Sequence, residues 1–169
     1  MEMTAQQLLD VTRQGVRAFL EGWRSRRNQH GGDLLLEFYG TATAEGRINV
    51  RALSATENQL APDERPEFLR HLVREDSAWA GFICTEAYMA EIDVGQTRDN
   101  LADLPEDQRI EALICAFSWP TGHETYVATV SNGIAGEWVC MEARPGATTE
   151  GRLVNMLGVE HSAPVEVDA

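Results

Sequence analysis

The sequence contains no lysine, so all fourteen of its basic residues are arginine. This absence excludes two classes of enzyme. The phosphate-binding loop of P-loop nucleotidases and the Schiff base of pyridoxal enzymes both require a lysine amine. Two causes would produce a chain without lysine, namely arginine-rich coding in a GC-rich genome and adaptation of the host to high salt. The sequence leaves both open.

Cysteine is scarce, and the three cysteines, Cys84, Cys115 and Cys140, include no closely spaced pair. An odd number of separated cysteines argues against a disulfide framework, and the absence of a Cys-x-x-Cys pair argues against a zinc site. We therefore expect reduced thiols that pack as small apolar side chains, and no metal.

Targeting and membrane signals are also missing. Residues 1–4 contain neither the basic nor the apolar part of a secretory signal, and no apolar run approaches the roughly 20 residues of a membrane span. These absences predict a cytoplasmic protein that does not associate with a membrane.

Catalytic and cofactor motifs are equally absent: there is no Gly-x-Ser-x-Gly, and the glycines of 132–136 are typical of a turn between strands. The sequence thus predicts no cofactor.

Charge divides the chain into two unequal halves. Residues 1–74 carry ten arginines and ten acids, whereas residues 75–169 carry four arginines and seventeen acids, and so hold all of the net charge of −13. An acidic half repels nucleic-acid phosphates and anionic lipids, which argues against direct binding to either. It favours a basic protein partner, including a DNA- or RNA-binding protein whose basic site the acids would occupy by mimicking nucleic-acid charge, or it serves solubility alone.

Periodicity predicts an α+β fold. The apolar spacing and turn residues indicate a mainly antiparallel sheet of about five to six strands, covered on one face by a long N-terminal helix and a short second helix. Residues 77–93 fit either a strand or a helix, and their aromatic and β-branched residues favour a strand. We expect one domain over 1–157, a frayed tail over 158–169 and an exposed acidic loop over 94–108. The predicted helices are 4–27, 67–74 and a short one at 152–157, and the other predicted strands are 34–43, 47–54, 110–119, 123–131 and 134–142.

The candidate catalytic residues are Glu86, Glu111 and His123. Both glutamates lie in or beside apolar runs, as Glu91 does, where an unpaired charge is costly. On neighbouring strands they could form an acid–base pair or hold a divalent cation. The alternative is that they face solvent or pair with Arg109 or with an arginine of the first half. His123 would need an acid to orient it, and the adjacent Glu124 points to the opposite face of a strand.

Two short segments carry a resemblance. The run Thr85-Glu86-Ala87-Tyr88-Met89, followed by Arg-Ile-Glu-Ala-Leu at 109–113, resembles a pattern in small uncharacterised bacterial and phage-associated proteins. The resemblance covers about thirty residues, from 79 to 117. It implies a strand ending near Met89 and a polar bridge between two strands formed by Glu86, Arg109 and Glu111. It implies no particular activity.

Two functions therefore remain open. The first is a small interaction protein that binds another protein or a second copy of itself, in part by pairing at a sheet edge. The second is a small enzyme or ligand-binding domain that uses Glu86 and Glu111, with His123 or Tyr88 nearby. If the two glutamates converge in an open cleft, the enzyme is favoured. If they are tied to arginines, the interaction protein is favoured.

Overall fold

A computed structural model describes residues 2–30, 36–54, 60–61, 64–89, 107, 109–143 and 156–158. The first element is helix α1, Ala5–Gln29. Thr4 is its N-cap: the Thr4 Oγ1 accepts from Gln7 N at 3.1 Å, and the Gln7 Oε1 accepts from Thr4 N at 2.9 Å. The buried face of α1 recurs every three or four residues, through Val16, Leu20, Trp23 and Arg27.

A hairpin and a second helix follow α1. Strands β1 (Leu36–Ala42) and β2 (Ile48–Ser54) are joined by a turn in which Gly46 has a φ of 81°, a conformation that favours glycine. Helix α2 spans Glu64–Glu75 and begins three residues before the predicted start at 67. The predicted start was too late because a proline is accepted in the first turn of a helix, where the backbone N–H has no partner within the helix.

Three long strands form the rest of the sheet: β3 (Ala80–Met89), β4 (Ile110–Trp119) and β5 (Gly122–Ser131). The strand favoured for the ambiguous segment at 77–93 is therefore present. The single strand predicted over 134–142 is wrong. That segment forms β6 (Ile134–Ala135), β7 (Val139–Cys140) and a 3-10 turn over Met141–Ala143. Strand pairing stops at Gly136–Trp138 because the Trp138 indole turns toward α1 and donates Nε1–H to Leu20 O at 3.0 Å.

The strands form one antiparallel sheet in the order β2-β1-β3-β4-β5-β6, with β7 also paired to β5. The predicted α+β class is confirmed. The helices, however, lie on opposite faces rather than on the single face predicted. Phe38, Phe82 and Phe117 pack under α1, whereas Tyr39 and Ile83 pack under α2. Alternation gives the central strands two apolar faces, so each helix covers one of them.

Some predictions fall on parts of the chain that lie outside the described residues. These are the acidic loop over 94–108 apart from Asp107, the helix over 152–157 apart from its last two residues, and the tail beyond Gly158. Met156 and Leu157 are buried against the α2 side of the sheet, where the Ser118 Oγ accepts from Leu157 N at 3.0 Å. Neither helix of the described ranges is both long enough and apolar enough to span a membrane.

Candidate functional site

Three carboxylates project from the sheet toward α1. Glu86 on β3 continues the face of Phe82 and Cys84, and Glu111 on β4 lies diagonally across from it, opposite Tyr88. Glu124 on β5 continues the face of Tyr126. Because side chains of a strand alternate between faces, all three acids point to the side that α1 covers. The sheet therefore places these three carboxylates against the arginines of α1.

Arg27 in the last turn of α1 receives two of these acids. Its guanidinium donates Nε–H to Glu86 Oε1, Nη2–H to Glu111 Oε1 at 3.4 Å and Nη1–H to the Gly133 carbonyl at 3.0 Å. Only 3% of the Arg27 side chain is exposed, against 14% for Glu86 and 44% for Glu111. One buried cation thus connects β3, β4 and the β5–β6 turn, and its planar fork suits several acceptors at once.

Further side chains fasten the same end of α1 to the chain after β5. The Asn28 amide donates to Ala135 O at 3.0 Å and accepts from Ala135 N at 2.9 Å, so it pairs with the β6 backbone as a neighbouring strand would. Arg24 donates to Gly136 O at 3.3 Å and also bonds Glu21. The surroundings of Arg27 are therefore a fixed junction between helix and sheet.

A second cluster lies near the start of α1. Arg13 donates Nε–H to Glu124 Oε1 at 2.8 Å, and the Tyr126 hydroxyl donates to the other carboxylate oxygen. The hydrogen bond to Glu124 raises the pKa of Arg13, and burial together with the Glu124 carboxylate raises the pKa of Tyr126. Arg17 lies over the Tyr126 ring, 5.7 Å from its centroid. Tyr126 therefore stays protonated and Glu124 stays paired.

His123 is held by an acid that its own strand does not supply. Its Nε2 lies 3.6 Å from Glu142 Oε1, while Glu142 Oε2 accepts from Thr125 N at 2.7 Å and lies 3.7 Å from Cys140 Sγ. A histidine, an acid and a thiol are thus neighbours. Burial is the main cause that raises the pKa of Cys140, and the Glu124 and Glu142 carboxylates raise it further. A thiol kept protonated in this way is a poor nucleophile.

The other two cysteines face one another in the core. Cys84 and Cys115 are direct partners in the β3–β4 register, and both are fully buried under α1. Burial and the neighbouring Cys115 raise the pKa of Cys84 well above its ordinary value. Across the described ranges of the chain, no three histidine, cysteine, aspartate or glutamate side chains are grouped so that they could hold a metal ion.

The structure also has a cavity between α1 and the β5–β7 edge. It has a volume of about 330 Å³ and is lined by charged, aliphatic, aromatic and sulfur-containing side chains: Arg17, Leu20, Glu21, Tyr126, Trp138 and Cys140. Its volume is at the low end of those that hold a small organic molecule. The three candidate residues, Glu86, Glu111 and His123, are not among its lining residues.

Only some of the residues that organise this region could be predicted from the sequence. Glu86 and Glu111 do share a site, and an arginine of the first half supplies their counter-charge. Among the ten arginines of the first half, only one signal in the sequence points to Arg27 as the partner of the glutamates. Arg27 follows Trp23 at the spacing of the apolar residues of α1, and so lies on the buried face of the helix. Arg109, which the resemblance placed with the two glutamates, lies over the Tyr88 ring, 5.5 Å from its centroid. Glu142 carried no signal, and Glu91 lies outside the described residues.

Comparison with known proteins gives no relative: no family profile matches the chain, and neither a curated protein nor a solved structure is significantly similar to it. The site must therefore be interpreted from its own geometry.

Proposed function

We propose that this chain is a protein-binding domain whose acidic half recognises a basic surface or segment of another protein. The observation that carries the proposal is the pairing of Arg27 with Glu86 and Glu111. A general acid or base needs access to substrate and a proton that it can exchange. Glu86 is instead buried against a guanidinium. It therefore serves to attach α1 to the sheet.

The pairing of Arg27 with Glu86 and Glu111 also uses a positive charge of the first half that could otherwise offset acids at the surface. Two arginines of the first half bind acids of the sheet: Arg27 binds Glu86 and Glu111, and Arg13 binds Glu124. Acids of the second half such as Asp107 and Glu137 face solvent, and this half contains only four arginines for seventeen acids. A surface with this imbalance attracts a basic partner, speeds its association and repels nucleic acid.

The experiment is an affinity capture from host lysate treated with nuclease, with three forms of the chain as bait. One is the wild type and one carries Asp107→Asn with Glu137→Gln. The matched control carries Glu2→Gln with Glu45→Gln, which removes the same charge from exposed sites in the first half. We expect one or two basic proteins in stoichiometric amount. They should be lost as salt rises, weakened by the first pair of changes and retained by the control pair.

Two results would contradict the proposal. If both double variants weaken capture equally, the attraction is a general effect of net charge and no acidic surface is recognised. If nothing basic is captured at low salt, the acids serve solubility alone.

A small-ligand-binding domain is the second candidate, and the cavity of about 330 Å³ beside Tyr126 and Trp138 favours it. Thermal shift assays against a library of small metabolites would test it. A ligand that raises the melting temperature of the wild type, and not that of Tyr126→Leu, would place binding in this cavity.

A further inference from the structure

The two ends of the sheet are protected differently. At one end, β5 is covered by β7 at Tyr126 and Val127 and by β6 at Val130 and Ser131. At the other end, β2 pairs with β1 along its whole length, without a bulge, and no further strand of the described ranges lies beside it. It contains no proline or lysine. A regular, open end strand of this kind is a template for pairing with another strand.

The hydrogen-bond pattern identifies which residues of β2 face outward. Thr43 N donates to Arg47 O at 2.9 Å, so Arg47 directs its polar backbone groups toward the first strand of the hairpin. These pairs alternate along an antiparallel ladder, so every second residue after Arg47 does the same. The residues between them, Ile48, Val50 and Ala52, direct their N–H and C=O groups away from β1. We call these outward groups the β2 edge.

The side chains of these residues add an apolar row to the edge. Ile48, Val50 and Ala52 all point to the α1 side of the sheet, because their β1 partners belong to that face. Val50 is 37% exposed, and Val11 of α1, which is also exposed, lies against the turn that leads into β2. Val50 would lose this exposed area if another apolar strand were to pair here.

We propose that two copies of this chain pair antiparallel along the β2 edge, with Val50 opposite the partner's Val50. A two-fold axis perpendicular to the sheet keeps the α1 faces on the same side. In this register Ile48 faces the partner's Ala52, and Arg51 faces the partner's Asn49. Moving the centre to Arg51 would oppose two arginines, and moving it to Asn49 would oppose Arg47 and Arg51. The chosen register avoids both repulsions and forms about six hydrogen bonds between the copies.

The distribution of charge along the chain favours a second copy of this chain as the strand that pairs with the β2 edge. A chain with a net charge of −13 repels its own copies unless they meet where that charge is absent. The β2 edge lies in residues 1–74, whose charges sum to zero, and β2 itself contains no acidic residue. Pairing at this edge therefore joins the two copies through the half of the chain whose charges sum to zero. A basic partner would instead meet Arg47 and Arg51 here. This proposal is independent of the basic-partner proposal, which concerns acids of the second half.

The test is a charge-exchange experiment followed by light scattering on a size-exclusion column. Wild type should be a dimer at high concentration, and Val50→Lys and Val50→Glu should each be monomeric, with the dimer dissociation constant raised at least tenfold. Mixing the two variants should restore a 1:1 dimer, because lysine then faces glutamate across the axis. Val50→Thr, which keeps a β-branched side chain and no charge, is the matched control and should remain dimeric.

The fold of each variant is checked by circular dichroism and a thermal melt, and the restored mixed dimer independently shows that both charged variants are folded. Three results would overturn the proposal. These are a wild type that is monomeric at every concentration, a dimer that survives Val50→Lys, and charged variants that are folded and monomeric but do not combine. Loss of the dimer without loss of captured basic proteins would leave the basic-partner proposal standing.

Discussion

Arg27 and Glu86 form an ion pair between the last turn of α1 and the middle of β3, and 3% of the arginine side chain is exposed. Two charges removed from water in this way cost free energy to desolvate, and their attraction offsets that cost only while both are present. Loss of one partner leaves the other buried and unpaired. The pair is therefore a structural element whose disruption should be measurable.

We expect Glu86→Gln to destabilise the fold by about 1–3 kcal/mol. The amide keeps one acceptor for Arg27 Nε but removes the charge that compensates the buried guanidinium. Urea unfolding followed by tryptophan fluorescence measures the difference. The control is Glu111→Gln, whose acceptor lies farther from Arg27, at 3.4 Å, and is 44% exposed. It should cost less. Equal stability of wild type and Glu86→Gln would show that Glu86 is not structural and would reopen the catalytic interpretation.

Local signals were sufficient for most of the fold. The nearly continuous apolar run of β4 and the Pro-Thr-Gly turn after it place β4 at the predicted residues, Ile110–Trp119. The Thr4 cap was predictable because a capping box is formed by residues three apart. The strand and the cap both depend on residues that are close in the sequence. The hydrophobic pattern of a strand or helix is the same whichever element packs against it.

Features that depend on distant partners could not be predicted. The break between β6 and β7 follows from the bond of Trp138 to Leu20 O, which joins segments 118 residues apart. The partner of His123 was equally hidden, because Glu142 reaches it by way of a turn after β7. The opposite placement of the helices is different, because it could have been inferred locally from β1, in which the adjacent Phe38 and Tyr39 are both apolar.

Two glycines should respond in opposite ways to alanine. A Cβ at Gly40 would lie 2.0 Å from the Phe82 ring, which is buried and cannot move aside, so Gly40→Ala should cost about 1–3 kcal/mol. A Cβ at Gly22 meets nothing within 4 Å, so Gly22→Ala should stabilise α1 by about 0.5–1 kcal/mol. Thermal unfolding of the two variants measures both signs, and a stabilised Gly40→Ala would contradict the packing described for β1 and β3.

The three thiols should differ in reactivity. Cys84 and Cys115 are fully buried, whereas Cys140 is partly exposed and has a raised pKa. A disulfide reagent at neutral pH should therefore react slowly with one thiol in the folded chain and with all three after denaturation. Cys140→Ser should abolish the slow reaction in the folded chain. Rapid reaction of Cys140 at neutral pH would mean that the thiol is ionised, and would support a nucleophilic role beside His123.

Asp76 should contribute to a loss of stability in acid. Arg51 donates two hydrogen bonds to this carboxylate, at 2.9 and 2.8 Å, and Thr41 donates a third at 2.5 Å. The Arg51 bonds and then the Thr41 bond lower the pKa of Asp76 from 3.8 to about 2. Between these two values the unfolded chain binds a proton that the folded chain does not, so stability is full above pH 3.8 and is lost as pH falls toward 2.

Asp76→Asn removes this titration, so its effect should depend on pH in a defined way. At neutral pH the variant should be less stable than wild type by up to about 2 kcal/mol, because one pKa unit corresponds to about 1.4 kcal/mol. As the pH falls through the window from 3.8 to about 2, the two stabilities should converge, since wild type loses what the variant never had. Urea unfolding at several pH values measures this. Glu75→Gln is a matched control, since Glu75 is an exposed neighbour whose removal changes the same net charge. A constant difference between Asp76→Asn and wild type at every pH would mean that the carboxylate acts by packing and not by its charge.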